Sequence, residues 1–314
     1  MLLEQRVRAM LAGGELTLPL PRAGATARRW ARLADWGRCD LEVARLAEGH
    51  ADAVAILSEA GLLACADGLY GVWAARPGGV GPRLTEREGQ LRVDGLARYC
   101  SGARMLDRAL LVVEPQAAES APLLVEVAIR QGGVTPDPDS WRAAAMAGTQ
   151  TWTVSFTDVP VHRLVGGPGW YTERPGFAAG GGGVAAVWWG GAAGLLDRAF
   201  ESARVTGVDP HQCAQLGELH ALLAACQALL RATADELDAV PEADHRMALA
   251  TARAAVEHGC RDTLDRLPRA TGPGPLGGDR WFAAQLANLQ VYLRQHHGER
   301  DFAELATELL AARG

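Results

Sequence analysis

The chain is expected to fold as an α+β protein with N-terminal helices, a central antiparallel β domain and a C-terminal four-helix bundle. Three observations carry this reading. Apolar residues between Leu41 and Leu57 recur with a period near 3.6. From about residue 62 to 165 the pattern changes to short β-type runs (LLVVE, LLVEVAI, TWTVSF) separated by Pro, Gly and Asp clusters. From about Ala178 onward four long segments regain helical periodicity.

Each region has its own punctuation. Gly61 is placed to cap the helix that ends the first region, 1–61. In the second region, 62–165, PGGVGP and GGVTPDPD separate the strands. In the third, 166–314, the breaks VPEAD and ATGPGPLGG set off antiparallel helices, and Asp209 or Pro210 suits the start of the second of them. Glycines around the pair Trp188–Trp189 permit close helix packing.

Composition removes several function classes. The 314 residues are 48% apolar and 22% charged, ordinary for a globular protein with a sizeable core. A net charge of −6 argues against a nucleic-acid partner, which requires a clustered basic surface. The 31 basic residues are all Arg, so neither a Lys Schiff base nor a P-loop Lys can form. Gly180–Gly183 lacks the preceding βαβ context of a dinucleotide fingerprint and reads as tight helix packing. No HExxH, clustered Cys/His pattern or GxSxG elbow occurs, which argues against a metal site and a serine hydrolase. The six cysteines are scattered without a CxxC pair and read as free, mostly buried thiols. With no signal peptide and no membrane span evident, a cytoplasmic location is expected.

Four collinear stretches sharpen the picture. LRVDGLARYCSGA (91–103), VSFTDVPV (154–161), GVWAARP (71–77) and AQLANLQVYLRQHH (284–297) occur in the order and setting of motifs of the acyl-CoA dehydrogenase superfamily, which the chain resembles over about residues 30–312. The resemblance implies FAD as cofactor, held between the β domain and the bundle. Trp73, Ala74, Ala75, Tyr99, Ser101 and Thr151 would line it, and Gly272 and Gly274 would meet a partner subunit's FAD. It also implies a homodimer or homotetramer. Helix Gln215–Ala239 separately carries more apolar surface than a one-sided bundle helix needs. On a strand Tyr99 and Ser101 would share one face.

Departures from the pattern matter as much. The first helical region is shorter than the family's, Ala75 and Arg76 replace a Thr-Glu pair, and Ala97 replaces a Lys. Where the family carries its catalytic Glu, this chain has His296 and His297, which read either as a base able to accept a proton at neutral pH or as a polar helix end. Glu299 is the nearest acid. The expected activity is a FAD-dependent oxidation at the CH–CH group of an acyl thioester, with coenzyme A or a carrier protein bearing the acyl group and a separate electron acceptor. A flavin-dependent monooxygenase on the same scaffold, or a flavin-free binding or assembly subunit, are the alternatives.

Overall fold

A computed structural model describes residues 2–116, 121–207 and 209–312, with Met1 and Gly314, the outer ends of the expected regions, outside that range. Its helices and strands run in the order α1 (Leu3–Ala12), α2 (Thr26–Cys39), α3 (Leu41–Glu59), β1 (Tyr70–Trp73), β2 (Arg83–Arg87), β3 (Gln90–Cys100) and β4 (Arg108–Val113). There follow β5 (Leu123–Ala128), β6 (Val134–Asp137), β7 (Trp152–Pro160), β8 (Arg163–Val165), α4 (Trp170–Glu173), α5 (Gly176–Thr206) and α6 (Pro210–Ala239). The chain ends in α7 (Arg246–Thr271), α8 (Pro273–Gly278), α9 (Arg280–Tyr292) and α10 (Glu299–Ala311).

The backbone packs as two compact units that cut across the composition zones. One joins residues 1–18 to 45–177, the other 19–44 to 178–314. The first unit therefore holds α1, most of α3 and every strand, and the second gathers α2 with α5 to α10.

In the first unit the strands form two four-stranded sheets, ordered β1-β4-β5-β8 and β2-β3-β7-β6. Pairing is antiparallel except between β1 and β4, which run parallel, so the expectation of an antiparallel domain needs that correction. The exception has a topological cause. Between β1 and β4 the chain makes the β2–β3 hairpin in the other sheet, a detour long enough to return in the same direction. That hairpin turns on Glu88 and Gly89, both at positive φ, as a two-residue turn requires. Helix α3 lays Ala53, Ile56 and Leu57 on Tyr70, Leu110, Val112 and Leu124 of the first sheet. It stops as anticipated at Gly61 (φ 72°), where Leu62 N–H reaches Leu57 O and Gly61 N–H reaches Ser58 O.

Buried Glu126 of β5 ties this sheet together. Arg108 and Arg163 each donate to it, at 3.1 and 2.6 Å, and the Tyr70 hydroxyl donates at 3.0 Å. One carboxylate thus meets two guanidinium groups and a phenol, which offsets the cost of burying it.

The second unit contains α5, α6, α7 and α9, the four segments expected for the bundle, with α2, α8 and α10 beside them. Asp209 accepts from the N–H groups of His211 and Gln212 and Pro210 opens α6, the anticipated start. Glycine sets the spacing of α2 and α5. A Cβ at Gly190 would fall on the Ala34 carbonyl oxygen, and one at Gly37 on that of Val187. The glycines near Trp188 and Trp189 thus bring two backbones together. Cys100, Cys226 and Cys260 are buried, while Cys39, Cys65 and Cys213 are exposed, so only half of the thiols match the expected burial.

Candidate functional site

In the strand unit the chemistry-bearing residues gather where β1 ends, where β3 passes into the 101–106 turn, and where the 146–151 loop enters β7. Trp73 is almost fully buried, its indole N–H donating to Ser101 O at 2.9 Å and its ring edge meeting Phe156. Its ring is thus committed to packing between the sheets. Ala74, next along, is half-buried and Ala75 is exposed.

Tyr99 and Ser101 do not share a face, contrary to the strand-alternation expectation. β3 carries one extra residue between Ala97 and Cys100, opposite Val154 and Trp152, and Tyr99 takes up the distortion with φ of 60°. The bulge turns Tyr99 outward, 55% exposed, while Ser101 lies buried just beyond the strand end.

Ser101 instead faces a column of hydroxyls. Its Oγ is 3.0 Å from Thr151 Oγ1, which is 2.7 Å from Thr149 Oγ1, which in turn donates to Met146 O at 2.6 Å. Backbone bonds clamp the segments: Gly102 N–H to Thr149 O at 2.7 Å and Ala103 N–H to Gln150 O at 3.2 Å. Met146 and Gln150 hold left-handed φ values of 55° and 47°, sparsely populated for residues with a Cβ. Thr149 is not among the residues the motifs point to; its one signal in the sequence is the T-x-T alternation immediately before the closing strand.

Ser101 also borders a small pocket with Arg45, Leu46, Gly49, Val72 and Leu106, with room for about one water (about 10 Å3). Arg45 there donates to buried Glu48 at 2.6 Å. Two residues on, buried His50 accepts the Tyr70 N–H through Nδ1 at 3.2 Å, and burial pushes its pKa down to about 4. Glu48 and His50 therefore engage different partners, as residues two apart on a helix must.

In the helical unit the His pair lies between the short 3₁₀ turn Leu293–Gln295 and α10. The two rings differ. His296 is buried, packs on Phe302 with ring centroids 5.0 Å apart, and accepts the Gly298 N–H through Nδ1 at 3.1 Å. Burial holds its pKa below the usual imidazole value, despite Asp301 3.9 Å from Nε2. His297 is exposed, and its Nδ1 lies 3.1 Å from Asp301 Oδ1. Burial works to raise the Asp301 carboxyl, but the His297 N–H and the two imidazoles outweigh it and hold it below the usual carboxylate range. Arg253 steadies the approach by donating to Gln295 O and Gly181 O while its guanidinium sits 4.4 Å over Trp188. Glu299 is exposed in the first turn of α10.

Gly272 ends α7 and precedes the six-residue α8, with φ of 68°. Gly274 lies inside α8, where an added Cβ would meet nothing within 4 Å. Neither glycine is shaped by a close neighbour in this chain.

No protein-family model and no curated protein sequence matches the chain. Solved structures do. FMN-bound TdsC from Paenibacillus sp. A11-2, a dibenzothiophene monooxygenase, superposes with a TM-score of 0.79 at 17% identity, covering 99% of this chain and 96% of that one. Methanesulfinate monooxygenase MsuC from Pseudomonas fluorescens gives 0.78 at 17%, over 97% and 89%. XiaF from Streptomyces sp., solved with FADH2 and glycerol, gives 0.71 at 17%, over 93% and 90%. The fold is thus acyl-CoA dehydrogenase-like, as the motif order implied. The expected acyl-thioester dehydrogenase activity is corrected by the same finding, because the matched structures include monooxygenases, TdsC among them with FMN bound, and none named here is an acyl-thioester dehydrogenase.

Proposed function

We propose that the chain is a flavin-dependent monooxygenase. The observation that carries this reading is the Ser101–Thr151–Thr149 hydroxyl column beside the end of β1, set in a fold shared along nearly its whole length with FMN- and FADH2-bound proteins. A flavin ring needs a few directional polar contacts against otherwise apolar walls. The hydroxyls of Ser101 and Thr151 are polar groups of that kind. Trp73 supports the Ser101 backbone from behind, and Tyr99 lies on the outer side of the bulge. A flavin held there would supply the two electrons that, with two protons, let one atom of molecular oxygen pass to a substrate while the other leaves as water.

Within the helical unit, His297 offers an outward Nε2 lone pair able to accept a proton, because Asp301 takes the Nδ1 side of the ring. His296 cannot serve in the same way, since its Nδ1 lone pair already accepts the Gly298 N–H and its Nε2 side faces Asp301. FMN and FAD both remain within this reading.

The test is anaerobic mixing of the purified chain with reduced FMN or FAD, followed by 18O2 and a panel of aromatic and thioether substrates. Label appearing in a product in a protein-dependent manner supports the reading. Bleaching of bound oxidised flavin by an acyl thioester, or failure to bind either flavin, overturns it.

A further inference from the structure

We propose that His296 is a pH-operated latch: its neutral ring closes the Gly298 turn and keeps α10 on α7, and protonation of that ring releases the helix. All the residues involved lie in the helical unit, and the latch needs no cofactor.

Helix α10 has a shallow seat. It packs on α7, yet none of its residues is fully buried. Phe302, Leu305 and Leu309 share one face and are half-buried, while Leu310 is 71% exposed. A 13-residue helix with so little buried surface is marginal by itself and depends on how its first turn is held. Gly298 opens that turn at φ of 59°, and its carbonyl accepts the Phe302 N–H at 3.2 Å. The buried His296 ring braces the turn at both ends. Nδ1 accepts the Gly298 N–H at 3.1 Å, and the ring packs on Phe302 with 5.0 Å between centroids.

This arrangement admits one protonation state. Accepting at Nδ1 puts the proton of the neutral ring on Nε2, whereas in the charged ring both nitrogens donate. A second proton on Nδ1 would face the Gly298 N–H, donor against donor at 3.1 Å. At the other side of the ring Asp301 Oδ2 lies 3.9 Å from Nε2 and already accepts the His297 N–H at 3.0 Å. A cationic His296 is drawn toward that oxygen and competes for it. Both consequences fall on the start of α10, because Gly298 precedes the helix and Asp301 stands in its first turn.

Four groups on the packed elements bear on this ring. Asp301 of α10 and Glu257 of α7 favour its charged form, while Arg253 of α7 and His297 of the same turn oppose it. Glu257 is shared with Arg261 and Arg294, at 3.4 and 3.6 Å. Burial outweighs the two acids and holds the docked ring below the usual imidazole value. Released into water, the ring returns to about 6.5 and binds a proton that the docked ring refuses. Docking is therefore fully present above about pH 6.5 and weakens as pH falls below it.

The experiment is amide hydrogen exchange of the whole chain between pH 7.5 and 5, read by mass spectrometry and corrected for the intrinsic pH dependence of exchange. Protection of 299–311 should fall below about pH 6.5, by up to about tenfold per pH unit for one linked proton, while 246–267 of α7 keeps its protection. His296→Asn retains an acceptor for the Gly298 N–H but does not titrate, and should flatten the slope. His296→Ala should leave 299–311 poorly protected at every pH. His297→Asn and Asp301→Asn keep the buried ring and should keep the slope. A flat wild-type profile, a slope that survives in His296→Asn, or wild-type protection in His296→Ala overturns the proposal. So does a slope abolished by His297→Asn or Asp301→Asn, which would put the sensor at that residue. If His296→Asn fails to fold, the His296 Cε1–H signal of the wild type decides, since it must titrate over the pH range in which protection is lost.

Discussion

Asp301 grips His297 twice: Oδ1 lies 3.1 Å from the ring Nδ1, and Oδ2 accepts the His297 backbone N–H at 3.0 Å. The carboxylate stands in the first turn of α10, so the helix start fixes the ring. A carboxylate can only accept, which makes Nδ1 the protonated nitrogen and Nε2 the basic one.

Removing that base should be visible in turnover. His297→Ala is expected to lower kcat/KM by about two to four orders of magnitude, the range for a lost general base. Asp301→Asn should cost less, because the base survives without its orienting acceptor. His296→Ala should act mainly on stability, as its ring closes the Gly298 turn and covers Phe302. Steady-state kinetics and melting temperatures of the three variants check this, and full activity in His297→Ala would remove the assignment.

His50 gives a second, independent pH signature. Its folded pKa is pushed down to about 4, from the ordinary imidazole value of 6.5, because burial disfavours the charged ring. The unfolded chain therefore binds a proton that the folded chain refuses. The stability is fully present above pH 6.5 and is lost progressively as pH falls toward 4, by about 3 kcal/mol in total. His50→Asn keeps an acceptor for the Tyr70 N–H but does not titrate. Denaturant melts between pH 7 and 4 should show a shallower acid slope in that variant, and an unchanged slope would place the titration elsewhere.

The sequence showed the element types more readily than their partners. Periodicity located α3 and the four long C-terminal helices, and Gly61 and Asp209 capped where their chemistry required. Local pattern could not show that α2 packs with the C-terminal helices, because that depends on backbone contact through Gly37, Gly190 and Gly194 with residues far away in the chain. The same holds at the site. Ser101 was legible from its motif, but Tyr99 was misplaced because a one-residue bulge leaves no mark in period-two alternation. The His pair was legible as a pair. Only the fold of the 296–301 turn separates a buried ring that accepts from its own backbone from an exposed ring held by a carboxylate.

The glycine seam should be intolerant. Gly190→Ala drives a methyl group into the Ala34 carbonyl, a backbone atom that cannot rotate away, so α2 and α5 must separate. A loss of about 2 kcal/mol or more is expected, at the upper end of overpacking effects. Gly217→Ala, on exposed α6 with nothing within 4 Å, is the control and should be neutral or slightly stabilising. Equal melting temperatures for the two variants would refute the account.

Self-association is expected through α6. This helix is long and apolar enough by length and composition to cross a membrane, with an 18-residue window of mean hydropathy 1.3, yet only 28% of that window is buried within one chain. Its inner face, Leu216, Leu219, Leu223, Cys226 and Leu230, is buried, and α6 packs along α7 and α2. The opposite face presents Ala221, Ala224, Ala225, Ala228 and Ala232 to solvent, with Leu222 and Leu229 half-buried at its margins. A continuous apolar helix face of this kind is costly to leave in water and is what a second copy would cover. Light scattering at micromolar concentration should return a dimer or tetramer. Ala225→Glu combined with Ala228→Glu should give a monomer with the same helical content, because both positions are exposed and touch no core residue's place. A wild-type monomer, or an oligomer indifferent to both charges, would put the interface elsewhere or remove it.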